Sequence, residues 1–166
     1  MSLESFLQDH PTPYVWLWEF TSRVLKGMKP LIERVGVERS SRIFEPIEAF
    51  GKHLAFDCRD CGQCALHYTG MTCPMTCPKN LRNGPCGGVR MNGKCEVKPE
   101  MDCVWVKAYE RSRHTPYQHE MLRLNPPLDW RLEGKASWVT YATGQDQVTT
   151  GTDIKPRYAD EALKQQ

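Results

Sequence analysis

Cysteine is missing from both ends of this chain, yet all eight cysteines fall between Cys58 and Cys103. Neither sign of charge is in excess. Lys+Arg number 22 against 20 Asp+Glu, a net charge of +2, so no large field draws the chain to nucleic acid or an anionic membrane. No run approaches the roughly 18 apolar residues of a membrane-spanning helix. The opening MSLESFLQDHPTPYVWLWEF has no basic n-region, no unbroken apolar core and no small-residue cleavage site. That argues against a secretory signal and for the cytoplasm. Repeats of solenoid length and low-complexity runs are absent. Gly84 to Gly93 is rich in glycine, but it follows no strand and lacks the spacing of a phosphate-cradling loop. No nucleophile stands beside a base, and 166 residues leave no room for a catalytic barrel next to a cysteine module.

The cysteines themselves are dense. In a reducing compartment such a cluster reads as metal ligands; a secreted disulfide knot fits the even count but not the missing signal sequence. Cys58, Cys61 and Cys64 place three thiols within one short segment, followed by Cys73, Cys77, Cys86, Cys95 and Cys103. Eight thiols divide into two sites of four. Structural zinc takes separated pairs of cysteines, whereas three close cysteines with a remote fourth match the ligation of a four-iron cubane, and Cys73-Pro74 and Cys77-Pro78 echo the Cys-Pro step of bacterial ferredoxins. One further cysteine must complete the first site. Cys73 and Cys77 are nearest, but loops can bring any of them round, and the wide gaps of the second set suit zinc or a cubane equally. His53 and His67 flank the first cysteines as alternative ligands, though residues so placed more often lie outside the ligand set.

The rest of the chain reads as support. The sequence predicts an N-terminal arm over 1–13, a helical segment over 14–56, the cysteine-rich module over 57–103, a helical C-terminal support over 104–144 and a polar tail over 145–166, in which Ile154 and Tyr158 are the large apolar groups. Leu17, Phe20, Val24, Leu25 and Met28 follow helical spacing, Pro30 ends or kinks that helix, and Ser40 or Ser41 caps a second one whose face is Ile43, Ile47, Phe50 and Leu54. Pro99, Glu100 and Asp102 predict a helix start that puts Cys103 in a first turn, where the helix dipole favours thiolate. A helical stretch near 118–124 stops at Asn125-Pro126-Pro127, and Ser137 caps a short helix ending at Gly144. Tyr14, Trp16, Trp18, Trp130 and Trp138 are candidate interface anchors. The expected fold is mainly α with irregular loops: a small metal-cluster module of two four-cysteine sites flanked by helices.

The segments CRDCGQCAL, TCPMTCPKNLRNGPCGGV, GKCEVKPEMDCVWVKAYER and NPPLDWRLEG resemble the cysteine-rich accessory domain associated with methylenetetrahydrofolate reductase, the reductase small subunit of acetogens. The resemblance runs from Asp57 to Gly134; the helical region before Cys58 matches only in character. It implies a domain fused behind, or standing beside, a flavin-containing barrel, binding iron–sulfur clusters and linking an external carrier such as a ferredoxin to that flavin. Zinc is also assigned to these cysteines in the family. By position it implies Cys58, Cys61, Cys64, Cys73, Cys77, Cys86, Cys95 and Cys103 as ligands of two 4Fe-4S clusters or of zinc. Lys79, Arg82 and Asn83 match the motif and would balance cluster charge. The barrel is missing here, so the implied role is a non-catalytic subunit whose flavin lies only in the partner, with no flavin or folate pocket of its own and neither nucleic acid nor membrane as partner.

Overall fold

The computed structural model describes residues 12–148. Among them are four α-helices and no strand, so the architecture is mainly helical with irregular connections. No described helix is long and apolar enough to cross a membrane.

Helix α1 spans Thr12–Val35 and α2 spans Val37–Phe56. Only Gly36 separates them, at φ +99°, a left-handed conformation open to glycine without steric cost. Pro30 does not end α1, and Pro46 lies inside α2. Each deprives the carbonyl four residues earlier of its helical donor. Both prolines and both of those residues, Lys26 and Arg42, are exposed, so water can serve the carbonyls.

The inward stripe of α1 is Val15, Leu25 and Ile32, while Leu17, Phe20 and Val24 of the expected stripe face solvent. Helix α2 departs further from the expected amphipathic pattern. Ile43, Ile47, Phe50 and Leu54 are all exposed, Phe50 to 76%, and the residues it buries are Ser40, Ser41, Glu48 and Lys52. Its polar side faces the protein because charged and hydroxyl partners wait there.

Helix α3 spans Val104–Ser112 and α4 spans Ser137–Thr143. Helix α3 begins later than the Pro99 signal, because the Lys94–Asp102 bridge and the Cys95 N–H bond to the Met101 carbonyl hold residues 99–102 in a turn. Residues Gln118–Leu122 form a 3₁₀ turn in place of the expected helix. Helix α4 lies against both α1 and α2 and ends at Gly144 in the left-handed conformation, the usual glycine stop. Its start is capped from a distance. Ser137 is the first helical residue, and the cap is the Glu48 carboxylate, which accepts from the Ser137 N–H at 3.2 Å and the Trp138 N–H at 3.0 Å.

Two buried apolar clusters result. One joins Leu25 and Ile32 of α1 to Ala136, Val139 and Ala142, with Trp138 packed against it. The other joins Val15 to Leu66, Met71, Cys73 and Met75, with Trp18, Cys61 and Cys64 at its edge. Cysteines are thus part of the second core. The expected N-terminal arm lies outside the described residues up to Pro11, and the expected tail beyond Val148, including Ile154 and Tyr158, does also.

Candidate metal centres

After α2 the chain turns sharply. Asp57 and Asp60 at φ +48° and +44° and Gly62 at +69° wrap the segment round so that Cys58, Cys61 and Cys64 line one cavity together with Cys73. The fourth member of the first group is therefore Cys73, which spacing alone left open. Gly62 sits at a close approach: a Cβ there would stand 2.0 Å from the Leu132 carbonyl oxygen.

Cations serve this group. Lys52 Nζ lies 3.3 Å from Cys64 Sγ and Arg82 Nη1 lies 3.5 Å from Cys61 Sγ. The Lys52 ammonium also donates to Glu48 and, at 2.7 Å, to Ser137 Oγ. One buried network thereby joins the cysteine cavity to the start of α4. Burial opposes the charge on Lys52, but Cys64 and Glu48 outweigh it and hold the ammonium pKa above the ordinary lysine value. Burial pushes the Cys58 thiol well up, and the Cys73 thiol to about 11, against backbone N–H groups of Met75 and Arg59 that favour its thiolate. Thiols so raised become thiolates when a metal displaces their protons.

Cys77, Cys86, Cys95 and Cys103 line a second cavity with Lys79, Val89 and Trp105. The elements that gather them are short. Arg90 N–H bonds to the Lys94 carbonyl, Cys95 N–H to Met101 and Cys103 N–H to Gly93, at 2.9–3.0 Å, which sets Cys95 beside Cys103. Cys103 occupies the N-cap of α3, as its position in the sequence suggested. The indole of Trp105 donates to the Leu81 carbonyl at 3.1 Å, tying α3 to the loop that carries Cys77 and Cys86. Gly88 N–H approaches Cys86 Sγ at 3.4 Å, and the Lys79–Glu96 ion pair stands over the same sulfur. Cys86 is exposed, whereas Cys73 of the first group is buried.

All eight cysteines are free thiols. Among the described residues no three His, Cys, Asp or Glu side chains are already converged on one point as the ligands of a single ion. The donor set nonetheless fits a thiolate-bound metal or cluster: four sulfurs round each cavity, with cations and N–H groups turned toward several of them.

Neither histidine lines either cysteine cavity. His53 bonds Asp60 at the surface, and His67 stacks on Trp18. Of the motif residues, Arg82 reaches Cys61, Lys79 stands beside Cys86, and Asn83 pairs with the backbone of Asn125 through its amide. The residues missed from sequence are Glu48, Lys52 and Gln63. Gln63 is buried, accepts from the Asp129 N–H and donates to the Asp146 carbonyl. The signal for Glu48 and Lys52 was present, since they share one side of α2 with Ser41, two and three helical turns further along.

A third hollow was not anticipated. A cavity of about 500 Å³ adjoins the first cysteine group, lined by Trp18, His67, Tyr117, Tyr141 and Arg82 among others.

The family model described as methylene-tetrahydrofolate reductase C terminal matches residues 37–131. No curated protein and no solved structure is significantly similar to the chain. The match opens on the first residue of α2, upstream of the segments that carry the resemblance, and takes in both cysteine groups and the Arg82–Asn125 contacts between them. It covers more than half of the sequence, and the chain belongs to the methylene-tetrahydrofolate reductase C-terminal family.

Proposed function

We propose that the chain is an iron–sulfur accessory subunit that passes electrons between an external, ferredoxin-like donor and the flavin of a separate methylenetetrahydrofolate reductase subunit in the cytoplasm. The observation that carries this reading is the division of the eight cysteines into two groups of four that meet at one turn. Cys73 and Cys77 bracket the 3₁₀ turn Pro74–Thr76. At about 2 Å of rise per residue their Cα atoms stand on the order of 8 Å apart, so a ligand of each group sits at opposite ends of one turn.

A cubane at each group would supply one-electron exchange at low potential. The residues supply the rest. Lys52 and Arg82 offset the charge of the first thiolate group and shield it from water, and Gly88 turns its N–H toward Cys86 of the second. The exposed Cys86 edge gives the second group a face toward a donor. Of the five aromatic anchors, Trp16 and Trp130 are exposed, to 68% and 60%, and with the outward stripe of α2 they offer an apolar surface to the catalytic subunit. Tyr14, Trp18 and Trp138 pack inward.

The competing assignment is zinc, which would make the same cysteines a redox-silent scaffold for the reductase. Anaerobic purification with iron, acid-labile sulfide and zinc counted per chain separates the two. The expected result is iron and sulfide enough for two cubanes and a visible absorption that bleaches on reduction; zinc with no labile sulfide would remove the electron-transfer role. The chain alone is expected to form no methyltetrahydrofolate from a reduced donor, and to support it when the flavoprotein is added.

A further inference from the structure

The two cysteine groups differ in the charge set against their sulfurs. At the first, the buried Lys52 places Nζ 3.3 Å from Cys64 Sγ, and Arg82 places Nη1 3.5 Å from Cys61 Sγ. At the second, Glu96 Oε1 lies 3.4 Å from Cys86 Sγ, and the neighbouring cation, Lys79, is paired with that same carboxylate. Lys79 and Glu96 are exposed, so water and salt screen them. A buried ammonium acts on its neighbours through protein of much lower dielectric.

Lys52 is fixed in its position. Its ammonium donates to Glu48 and to Ser137 Oγ and faces the Trp138 ring at 5.9 Å. The balancing carboxylate is occupied elsewhere as well: Glu48 also accepts from the Ser137 N–H, the Ser137 hydroxyl and the Trp138 N–H at the start of α4. The cation of this pair therefore touches the sulfur, while the anion is drawn toward a helix start. A four-cysteine cubane becomes more negative when it takes up an electron, and its potential follows the charge, hydrogen bonds and solvent exposure round its sulfurs. Burial opposes that electron at the first group, and two cations in contact with sulfur favour it. At the second group a carboxylate in contact with sulfur opposes it, and Lys79 does no more than cancel that carboxylate.

We propose that Lys52, aimed by Glu48, holds the first centre at a higher reduction potential than the second. One electron from a reduced, low-potential donor enters at the exposed Cys86 edge and reduces the second centre; it then passes to the first, which ends reduced as the second is reoxidised. The inference rests on the iron–sulfur reading and adds to it the order of the two centres and the residue that sets that order.

The test is an anaerobic redox titration of the full-length, cluster-loaded chain, followed by electron paramagnetic resonance and visible bleaching, with iron and labile sulfide counted on every sample. The parent should show two one-electron potentials. Lys52→Met should lower the higher one, because it removes the cation and leaves the Glu48 carboxylate, and Lys52→Arg should keep it. Glu48→Gln should raise it. The double variant Glu48→Gln/Lys52→Met, in which the glutamine oxygen still caps α4, should fall between the parent and Lys52→Met. For Lys52→Met the expected effect is at least ten-fold in the ratio of reduced to oxidised centre at fixed potential, about 59 mV for one electron. The lower potential should stay where it is in all four variants. A merely structural role for Lys52 would change iron content without producing this order. The proposal is overturned if the parent shows a single potential, if the lower potential moves instead, if both move together, or if neither responds. Should Lys52→Met lose the first centre, Glu48→Gln decides, since it keeps the cation: a higher potential equal to or below the parent's overturns the proposal. Zinc with no labile sulfide in the parent is a different result, the failure of the iron–sulfur reading itself, and the metal count shows it before any potential is measured.

Discussion

A methyl group at Gly62 would stand 2.0 Å from the Leu132 carbonyl oxygen, at a backbone φ of +69°. Both facts oppose any larger residue. The loop on either side is sewn to the segment that carries Leu132: Gly134 N–H bonds to the Asp60 carbonyl at 2.8 Å, and Thr140 Oγ1 donates to the Gly62 carbonyl at 2.5 Å. Gly62→Ala must therefore push the Cys61–Cys64 loop away from residues 132–140. Left-handed strain and overpacking together are expected to cost about 2–4 kcal/mol in a denaturant titration. Metal analysis should show the first centre lost and the second retained. Gly51, inside α2 with no atom within 4 Å of where an alanine methyl would stand, is the control; Gly51→Ala should stabilise by about 0.5–1 kcal/mol through helix propensity. Equal metal content in both variants and the parent would break the link between Gly62 and the first centre.

Helix α2 is the element whose sequence and environment disagree most. Ile43, Ile47, Phe50 and Leu54 have the spacing of a buried stripe and face outward, while Glu48 and Lys52 lie inside. Periodicity finds the helix and its faces; it cannot say which face the protein keeps. That choice rests on a cysteine cavity needing a cation and on α4 needing a cap, and both partners are distant in sequence. The same limit explains other differences. The existence of α1 and α2 and the span of α4 with its stop at Gly144 were legible, because local propensity and glycine set them; the bounds were not, since α1 runs through Pro30 and α2 starts at Val37, with Ser40 and Ser41 buried inside it rather than capping it. The grouping of Cys73 with Cys58 and of Cys77 with Cys103 was not, since adjacent cysteines go to different cavities on either side of one turn. An outward apolar stripe predicts its own cover. Phe50→Glu should change stability by no more than about 0.5 kcal/mol, as an exposed substitution, yet weaken association with the flavoprotein by about 2 kcal/mol or more if Phe50 is a central contact. Calorimetric titration of the two subunits reads this directly, and unchanged affinity would move docking off α2.

Across the whole molecule, the two cysteine groups have different claims on the fold. The first shares a core with Val15 of α1, and Leu66, Met71 and Met75 are buried round it. The second has no such support, because no residue from Thr76 to Cys103 is buried. A few backbone hydrogen bonds, the Lys94–Asp102 bridge and the Trp105 indole hold that stretch, and these cannot by themselves offset the conformational entropy of an open loop. On the proposed reading, ligation would supply most of its order. Removing metal with a chelator is therefore expected to unfold the molecule in steps. Hydrogen exchange should rise first across 77–103, while 62–75, α1 and α4 keep protection until denaturant is added. Cys95→Ala should reproduce the first step alone, with the first centre still assembled, whereas Cys61→Ala should loosen the Val15 cluster as well. Native protection over 77–103 in metal-free protein would show that the loop folds without its ligands. Simultaneous loss of both centres in Cys95→Ala would show that the two groups are one cooperative unit, joined through the Cys73–Cys77 turn.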